Sequence, residues 1–265
     1  RTGHADMTAG ARVLFFGPDG QPKPVGAVVR NPELAAVLES NPARGGDHFY
    51  VGPPAQRLVQ TVRNAERNPS VMTTGDLASY DAKERAAVCG TYRGHRICGM
   101  GPPSSGATTV FAILKQLERF DLSALGPRSP ESWHLITESM RLAYADREAY
   151  IGDPDFVAVP TQGLMDPAYL ASRSALISPE RAAARVSAGT PPGARPRTQA
   201  GGEEVPSTSH MVAVDGAGNV ASLTSTIEGP FGSGLIVDGY FLNNELTDFS
   251  FVPERNGAPV ANRVE

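Results

Sequence analysis

A stretch of 21 residues, 187–207, divides this chain into two blocks of different character. It reads SAGTPPGARPRTQAGGEEVPS and contains almost no apolar side chain. Such a segment cannot bury enough surface to offset the entropy lost on ordering. Residues 1–186 have mostly helical patterns and residues 208–265 mostly strand patterns. Separate helical and strand-rich blocks indicate an α+β fold in which the two blocks pack together.

The helical block is defined by capping residues and helical periodicity. Ser129 and Pro130 open the longest helix, which ends near Ile151. Its predicted buried stripe consists of Trp133, Ile136, Met140, Ala143 and Tyr144. The other predicted helices span residues 31–40, 53–66, 106–120, 167–174 and 179–186, with a short helical turn at 73–84.

Strand patterns occur at both ends of the chain. The first thirty residues predict a hairpin, or two strands joined by the turn GPDGQP. After the dividing segment, residues 209–227 predict two strands around the turn DGAGN, the first of them buried. A tight glycine turn, GPFGSG, then leads to a further single strand in LIVDGYFLNNEL.

Composition excludes two classes of partner. The chain has 265 residues, a formal net charge of -4 and no run of basic residues interleaved with aromatics, so we expect no nucleic acid. No apolar stretch approaches the roughly 20 residues that span a bilayer, so we expect no membrane span in this chain. Because it opens with Arg1 and no leader, we expect a piece of a longer protein.

The two cysteines lie in VCGTYRGHRICGM, where Arg93-Gly94 predicts a two-residue hairpin loop. Counting outward from that loop places Cys89 opposite Cys98 in a non-hydrogen-bonded pair. Such pairs have Cα atoms about 4.5 Å apart, within the range that a disulfide tolerates. Two reduced, buried thiols are the alternative. A bridge would favour an oxidising compartment.

Several familiar chemistries leave no trace in the sequence. There is no G-x-S-x-G elbow, P-loop or dinucleotide fingerprint. The five histidines are scattered and no group of His, Cys and Asp has metal-ligand spacing. We therefore expect neither a metal nor an organic cofactor.

The junction Ser207-Thr208-Ser209 places hydroxyls where the dividing segment meets a strand. A threonine hydroxyl is a weak nucleophile that needs an adjacent base. One solution uses the residue's own α-amine, which exists only at a chain terminus and has a pKa of about 7.7–8.0. Cleavage between Ser207 and Thr208 would create that terminus. On the residues alone, a plain junction between a linker and a strand is the simpler interpretation.

Long ungapped stretches nevertheless resemble a known family. They include TTGDLASYDAKERAAVCGTYRGHRICGMGPPSSG, AYADREAYIGDPDF, STSHMVAVDGAGNVASLTSTIEGPFGSG and LNNELTDFS. Over nearly its whole length the chain is similar to the γ-glutamyltranspeptidases, a family of N-terminal-nucleophile hydrolases. The resemblance implies part of an αββα sandwich and three regions. These are the C-terminal part of a large-subunit region at 1–186, a flexible linker ending at the autocleavage site at 187–207, and the start of the small, catalytic subunit at 208–265.

The resemblance also implies roles for individual residues. The Ser207–Thr208 bond matches the self-cleaved bond, which makes Thr208 the nucleophile. Thr226 matches a threonine that hydrogen-bonds the nucleophile, although by itself it has the β-propensity expected in a strand. His210 is expected to support the site structurally and the GPPSSG loop to shape it.

Three acidic residues match positions that bind the α-ammonium group of the substrate, and without the resemblance they would be solvated loop charges. Glu245 and Asp248 lie together in LNNELTDFS. Glu228 stands where the family often has Asn, and we expect it to add a third contact. Charge-assisted hydrogen bonds suit a bound cation.

The function implied is γ-glutamyl transfer and hydrolysis by a self-cleaving zymogen, both hydrolase and acyltransferase. Its partners would be glutathione and other γ-glutamyl compounds, with water, amino acids or peptides as acceptors, and the large and small subunits of one precursor. Family habit implies a periplasmic or extracellular location, and we expect this fragment alone to be inactive. The alternatives are a related acylase, acting on cephalosporins or poly-γ-glutamate, and a homologue that never matures and only binds.

Overall fold

The computed structural model describes residues 7–195, 208–248, 254–255 and 258–259. They form two compact units, the first made of Arg1–Ala82 with Glu204–Leu246 and the second of Lys83–Glu203 with Thr247–Glu265. The division therefore does not follow the chain order, because each unit combines two segments that are distant in the sequence.

The described helices are α1 (Ala9–Phe15), α2 (Pro32–Arg44), α3 (Asp47–Val51), α4 (Pro53–Arg63), α5 (Thr74–Ala78), α6 (Gly106–Leu117), α7 (Leu122–Leu125), α8 (Pro130–Tyr150), α9 (Thr161–Leu164) and α10 (Pro167–Ser174). The strands are β1 (Val88–Tyr92), β2 (His95–Gly99), β3 (Ser209–Val214), β4 (Val220–Ser225), β5 (Ile236–Val237), β6 (Tyr240–Phe241), β7 (Glu254–Arg255) and β8 (Ala258–Pro259). A short 3₁₀ helix spans Glu245–Asp248.

This mixture of helices and strands confirms the α+β class. Within the described residues the strands pair as four separate two-stranded antiparallel sheets.

The prediction of a hairpin in the first thirty residues is wrong. Residues Ala9–Phe15 form helix α1, whose Ala11 is fully buried. Only an isolated bridge between Phe16 and Pro22 resembles the expected pairing. The apolar run is too short for its periodicity to distinguish a strand from a helix, and here packing selects the helix.

Predicted caps are confirmed at two helices that start where expected. Asn31 Oδ1 accepts the Leu34 N–H at 3.1 Å at the start of α2. Ser129 Oγ accepts the Glu131 N–H at 3.2 Å at the start of α8. These side chains satisfy amide groups that the first helical turn leaves without a partner.

The β3–β4 hairpin has the predicted strands and turn but not the predicted burial. All twelve residues of its two strands are exposed. Asp215 fixes the turn, because its Oδ1 accepts the Ala217 and Asn219 N–H groups, each at 2.9 Å. Apolar Met211 and Leu223 are paired yet 56% and 55% exposed. The apolar side chains that suggested a buried strand are therefore exposed in the part of the chain that the structure describes.

LIVDGYFLNNEL is a hairpin rather than the single strand predicted. Strands β5 and β6 pair around Asp238 and Gly239, which have φ angles of 48° and 80°. Positive φ at both central residues defines the tight turn that matches the twist of paired strands, and Asp-Gly favours it. The turn signal was present inside the apolar run.

The second unit contains the predicted cysteine hairpin. Cys89 pairs with Cys98 across β1 and β2, with their Cα atoms 4.1 Å apart. The two sulfur atoms are 2.12 Å apart, so a disulfide is present and the reduced alternative is wrong. Gly90 lies against the Phe111 ring of α6, where a Cβ atom would lie 2.2 Å from the ring. The hairpin therefore packs on α6 through a glycine.

Helix α8 begins where predicted, and Ala143 of the predicted stripe is buried, but most of the buried face differs. Trp133 is 59% exposed, and Met140 and Tyr144 are exposed as well. The buried face consists of Ser132, Leu135, Glu138, Ser139, Leu142, Ala143, Asp146 and Ala149. Half of these buried residues are polar, so the spacing of hydrophobic residues did not predict this face. Their polar groups are hydrogen-bonded within the unit; Ser139 Oγ, for example, donates to Gln116 Oε1 at 3.0 Å.

The helix predicted at 179–186 is absent from the described chain, and the expected linker is partly ordered. The Ala183 N–H donates to Glu138 Oε2 at 2.8 Å, so a tertiary contact replaces a helical hydrogen bond. The Gly189 N–H donates to Asp146 Oδ1 at 2.8 Å, and Pro191 is fully buried. Residues 187–195 are thus packed chain, while 196–207 lie outside the described residues.

A buried ion pair holds that packed segment. Asp146 Oδ2 accepts Arg173 Nε at 3.1 Å and the Tyr169 hydroxyl at 2.8 Å. Arg173 Nη2 donates to the Ser187 carbonyl at 2.9 Å. Burial raises the pKa of the Asp146 carboxyl above its usual range, and burial beside that carboxylate raises the pKa of Tyr169. Neither charge has access to water, so each depends on its partners.

Replacing Arg173 with Met should destabilise the full-length protein by about 3–5 kcal/mol, because it leaves the Asp146 carboxylate buried and without its cation. Urea unfolding would measure the loss. The matched control is Arg85→Met, which removes a more exposed ion pair with Asp155 and should cost less than about 1 kcal/mol. Equal losses in the two variants would contradict the role assigned to the buried pair.

Candidate active site

The β3–β4 ladder sets the relation between the two predicted catalytic threonines. Its register pairs Ser209 with Ser225 at the open end of the hairpin. Continued by one residue, the same register sets Thr208 opposite Thr226. Directly opposed residues in an antiparallel pair have Cβ atoms about 4.5–5.5 Å apart. Thr208 is exposed, as the approach of a substrate requires.

Beyond β4 the chain turns sharply at Glu228. This residue has a φ of 65°, a left-handed conformation that is uncommon for a residue with a side chain. Its N–H donates to Thr226 Oγ1 at 2.8 Å. The Thr226 hydroxyl thus helps to hold the turn that positions Glu228.

A second segment of the chain is fastened to this turn. The Gly229 N–H donates to Asn244 Oδ1 at 2.9 Å, and the Asn244 N–H donates to the Ile227 carbonyl at 3.3 Å. These bonds bring Glu228 and Glu245 onto adjacent segments, although they are 17 residues apart in the sequence. Glu228 Oε2 and Glu245 Oε1 are both shielded from solvent.

Buried carboxylate oxygens have a definite chemical use. A carboxylate removed from water is unfavourable unless hydrogen-bond donors or a cation approach it. Among the described residues Glu228 Oε2 has no donor. An ammonium group supplies three donors and a positive charge, so this pair of segments suits a cationic ligand.

Two of the predicted site residues, Ser207 and Asp248, lie wholly or partly outside the described residues. Ser207, on the other side of the expected cleavage point, lies outside the described residues. Asp248 ends the 3₁₀ helix that begins at Glu245, but its side chain lies outside them. The roles of Ser207 and Asp248 remain predictions.

His210 is held by two hydroxyl groups on the facing strand. Its Nδ1 lies 2.8 Å from Thr224 Oγ1 and its Nε2 lies 3.1 Å from Ser222 Oγ. Both ring nitrogens are therefore occupied within the hairpin. The supporting role expected for His210 stays a prediction.

Asn244 is the site residue that sequence reasoning did not single out. It joins the Glu228 and Glu245 segments through its side chain and its backbone. Its position next to Glu245 in LNNELTDFS was the available signal, since an asparagine side chain can hydrogen-bond neighbouring backbone.

Other candidate features lie in the second unit. The GPPSSG loop precedes α6, and its Ser105 Oγ accepts Arg147 Nε at 3.1 Å. A cavity of about 620 Å³ is lined by residues of β1, α6, α9 and the start of α10, with Pro192, and by none of the predicted catalytic or substrate-binding residues. Within the described ranges no cluster of His, Cys, Asp or Glu could hold a metal ion, and no helix is long and apolar enough to cross a bilayer.

Comparison with known proteins identifies the relatives of this chain. Residues 5–265 match the family model of gamma-glutamyltranspeptidase. The glutathione hydrolase proenzyme of Bacillus subtilis (strain 168) is 38% identical over 251 residues, which cover 90% of this chain and 42% of that protein.

Solved structures show the same relationship. Helicobacter pylori gamma-glutamyltranspeptidase aligns with a TM-score of 0.63 at 35% identity, over 69% of this chain and 52% of that one. Cephalosporin acylase from Bacillus halodurans aligns with a TM-score of 0.76 at 25% identity, over 98% of this chain and 45% of that one.

These structural relatives place the chain in the class of α+β N-terminal-nucleophile hydrolases. Within that class it belongs to the γ-glutamyltranspeptidase family. The chain spans about two fifths of the length of the curated relatives that it matches.

The strained turn leads to a prediction about stability. Replacing Glu228 with Gly should stabilise the full-length protein by about 1 kcal/mol, because glycine adopts positive φ freely and the change removes a buried carboxylate. Thermal unfolding would detect a higher Tm. The control is Glu39→Gly at an exposed position within α2, which should lower stability by about 0.5–1 kcal/mol. A lower Tm in both variants would show that Glu228 is not under strain.

Proposed function

We propose that this chain carries the processing site and part of the substrate site of a γ-glutamyltransferase that also acts as a glutathione hydrolase. The observation that carries the proposal is the β3–β4 register, which pairs Ser209 with Ser225 and, continued by one residue, sets Thr208 opposite Thr226. Glu228 follows two residues later and is fastened to the segment of Glu245. Membership of the family and the printed name of the Bacillus subtilis relative supply the reaction.

Maturation begins with attack of the Thr208 hydroxyl on the carbonyl carbon of Ser207. The C–N bond between the two residues breaks, the acyl group passes to the hydroxyl oxygen as an ester, and the released nitrogen takes up the proton. Water then hydrolyses the ester and leaves a carboxylate on Ser207 and a free α-amine on Thr208. Residues 1–186 and the linker 187–207 thereby remain with the large subunit, and 208–265 begin the small one.

Turnover uses the same hydroxyl with the new amine as its base. The Thr208 α-amine, with a pKa of about 7.7–8.0 before any perturbation, accepts the hydroxyl proton as the oxygen attacks the γ-carbonyl carbon. The leaving amine takes that proton, and a γ-glutamyl ester remains on Thr208. Water or the amine of an amino acid or peptide then attacks the ester, so that hydrolysis or transfer results.

The proposal includes two supporting roles. The Thr226 hydroxyl, across the ladder from Thr208, orients the nucleophile. Glu228 and Glu245, with Asp248 as a third acid, bind the α-ammonium group of the γ-glutamyl substrate, which the buried carboxylate oxygens favour. The substrate class is therefore glutathione and related γ-glutamyl amides.

We also propose a periplasmic or extracellular location. The disulfide between Cys89 and Cys98 supports it, because disulfides persist in oxidising compartments and are rare in the cytosol.

A related acylase is the second candidate, and it rests on the likeness to the cephalosporin acylase over 98% of this chain. The two candidates differ in whether the substrate presents an ammonium group near the scissile amide. A homologue that never cleaves is a third possibility, which the hydroxyls of Thr208 and Thr226 argue against.

Replacing Thr208 with Ala should abolish self-cleavage, because alanine has no hydroxyl to attack the Ser207 carbonyl. The full-length protein should run as two chains on a denaturing gel, and the smaller should begin Thr-Ser-His. The Thr208→Ala variant should run as one chain, with turnover of γ-glutamyl-p-nitroanilide reduced more than about 10³-fold.

Ser209→Ala provides the control for that test, since it removes the neighbouring hydroxyl only and should still cleave. A wild-type protein that stays as one chain would rule out maturation at this bond. Cleavage of the alanine variant at the same bond would rule out Thr208 as the nucleophile.

Replacing Glu245 with Gln should lower kcat/KM for γ-glutamyl-p-nitroanilide by about 10- to 100-fold, because a charge-assisted hydrogen bond to the ammonium is worth about 1.5–3 kcal/mol. For glutaryl-p-nitroanilide, which lacks the ammonium group, the change should be less than about threefold. Steady-state kinetics on both substrates would measure the difference. Wild-type preference for the glutaryl substrate would instead favour the acylase.

A further inference from the structure

The turn between β5 and β6 is held from two helices of the N-terminal part of the chain. Asn31, at the start of α2, donates its Nδ2 proton to the Gly239 carbonyl at 2.7 Å. Arg57 of α4 donates from Nε and Nη2 to the two carboxylate oxygens of Asp238, each at 2.7 Å. Both residues of a two-residue turn are therefore bound by distant segments.

The fit at this turn is close. A Cβ atom on Gly239 would lie 2.3 Å from Asn31 Oδ1 and 2.6 Å from the Leu34 nitrogen. Asn31 has two tasks at once, because its Oδ1 also caps α2 through the Leu34 N–H. The start of α2 and the turn thus form one hydrogen-bonded assembly, and it has no room for a side chain at residue 239.

The Arg57–Asp238 pair has the geometry of a strong ion pair. Two parallel N–H···O bonds fix the guanidinium and carboxylate planes relative to each other, which a single contact cannot do. The Asp238 side chain is only 16% exposed, although that of Arg57 is 48% exposed. The hydrogen bond to Asp238 raises the pKa of Arg57, which favours the charged guanidinium.

The turn leads directly to the acidic segment. Six residues separate Asp238 from Glu245. Between them, the Phe241 ring packs against the Phe15 ring of α1, with centroids 6.0 Å apart. The Leu242 N–H donates to the Leu235 carbonyl at 3.0 Å. These two contacts lie between the turn and Glu245 along the chain. A shift of the turn would therefore move Glu245.

We infer that Arg57 is a positioning residue, which holds the Asp238–Gly239 turn so that Glu245 and its neighbour Glu228 keep the geometry that receives the substrate's ammonium group. Arg57 precedes the Ser207–Thr208 bond and Asp238 follows it, so after cleavage this ion pair joins the two product chains. The inference rests on the proposed function for its substrate, and on the described contacts for its geometry.

The test compares Arg57→Met with Arg63→Met in the full-length protein. Methionine keeps an apolar stem and removes the guanidinium in both variants. Arg63 lies on the same helix, but among the described residues its guanidinium donates only a long, exposed hydrogen bond of 3.4 Å to the Met72 carbonyl. Any general effect of removing an arginine from α4 should appear in both proteins.

Three readouts separate positioning from folding. Arg57→Met should still cleave at Ser207–Thr208, and its KM for γ-glutamyl-p-nitroanilide should rise about three- to fivefold while kcat changes less than twofold, the scale of a well-formed surface ion pair. Hydrogen exchange of peptides covering residues 236–246 should accelerate by a similar factor. Arg63→Met should match the wild type in all three.

A double variant tests the pair itself. Asp238→Asn keeps a residue that tolerates positive φ and removes the negative charge. Combined with Arg57→Met it should be no worse than either single variant, because the interaction is already lost. Additive effects on KM and exchange would overturn the inference.

The outcomes distinguish this inference from the proposed function. A wild-type protein that neither cleaves nor turns over a γ-glutamyl substrate would refute the function, while the exchange rates would still decide whether Arg57 holds the turn. Unchanged exchange in Arg57→Met would overturn the inference even in an active enzyme. So would faster exchange without a rise in KM in an active enzyme.

Discussion

The register of one exposed hairpin determines whether this site can exist. Because side chains alternate between the faces of a strand, a slip of one residue between β3 and β4 would move every side chain of the shifted strand to the other face. Thr208 would then lose its place opposite Thr226, and the turn at Glu228 would start from the wrong residue. The carboxylate of Asp215 protects this register at the closed end, where it binds two amides of the connecting turn.

The first unit brings together segments from both sides of the expected cleavage point. Helices α1, α2 and α4 precede that point, and β5 and β6 follow it by about 30 residues. Phe15 of α1 lies against both Phe231 and Phe241, with ring centroids 5.6 and 6.0 Å apart. A cut between Ser207 and Thr208 would therefore leave aromatic contacts between the two products. Such contacts would help to hold the two product chains together if the bond is cut.

The sequence predicted those features in which a residue contacts others close to it in the chain. Caps at Asn31 and Ser129 and the pairing of Cys89 with Cys98 follow from short-range rules, and the structure has all three. The buried face of α8 was missed because its inward polar residues find partners on distant segments. The Asp238–Gly239 turn was missed because apolar flanks concealed a turn signal.

The candidate site likewise contains residues that the sequence predicted and one that it did not. Thr208 and Thr226 were named through resemblance, and their relation across the hairpin needed only a strand register. Asn244 could not be assigned from the sequence alone, because its partner Gly229 lies 15 residues away. The packing of residues 187–195 against Asp146 has another consequence. If Ser207–Thr208 is cut, the new carboxyl terminus stays tied by 12 residues to a fixed point, a reach of roughly 40 Å. The severed end would then stay covalently attached to the larger product within that reach, rather than leave as a separate peptide.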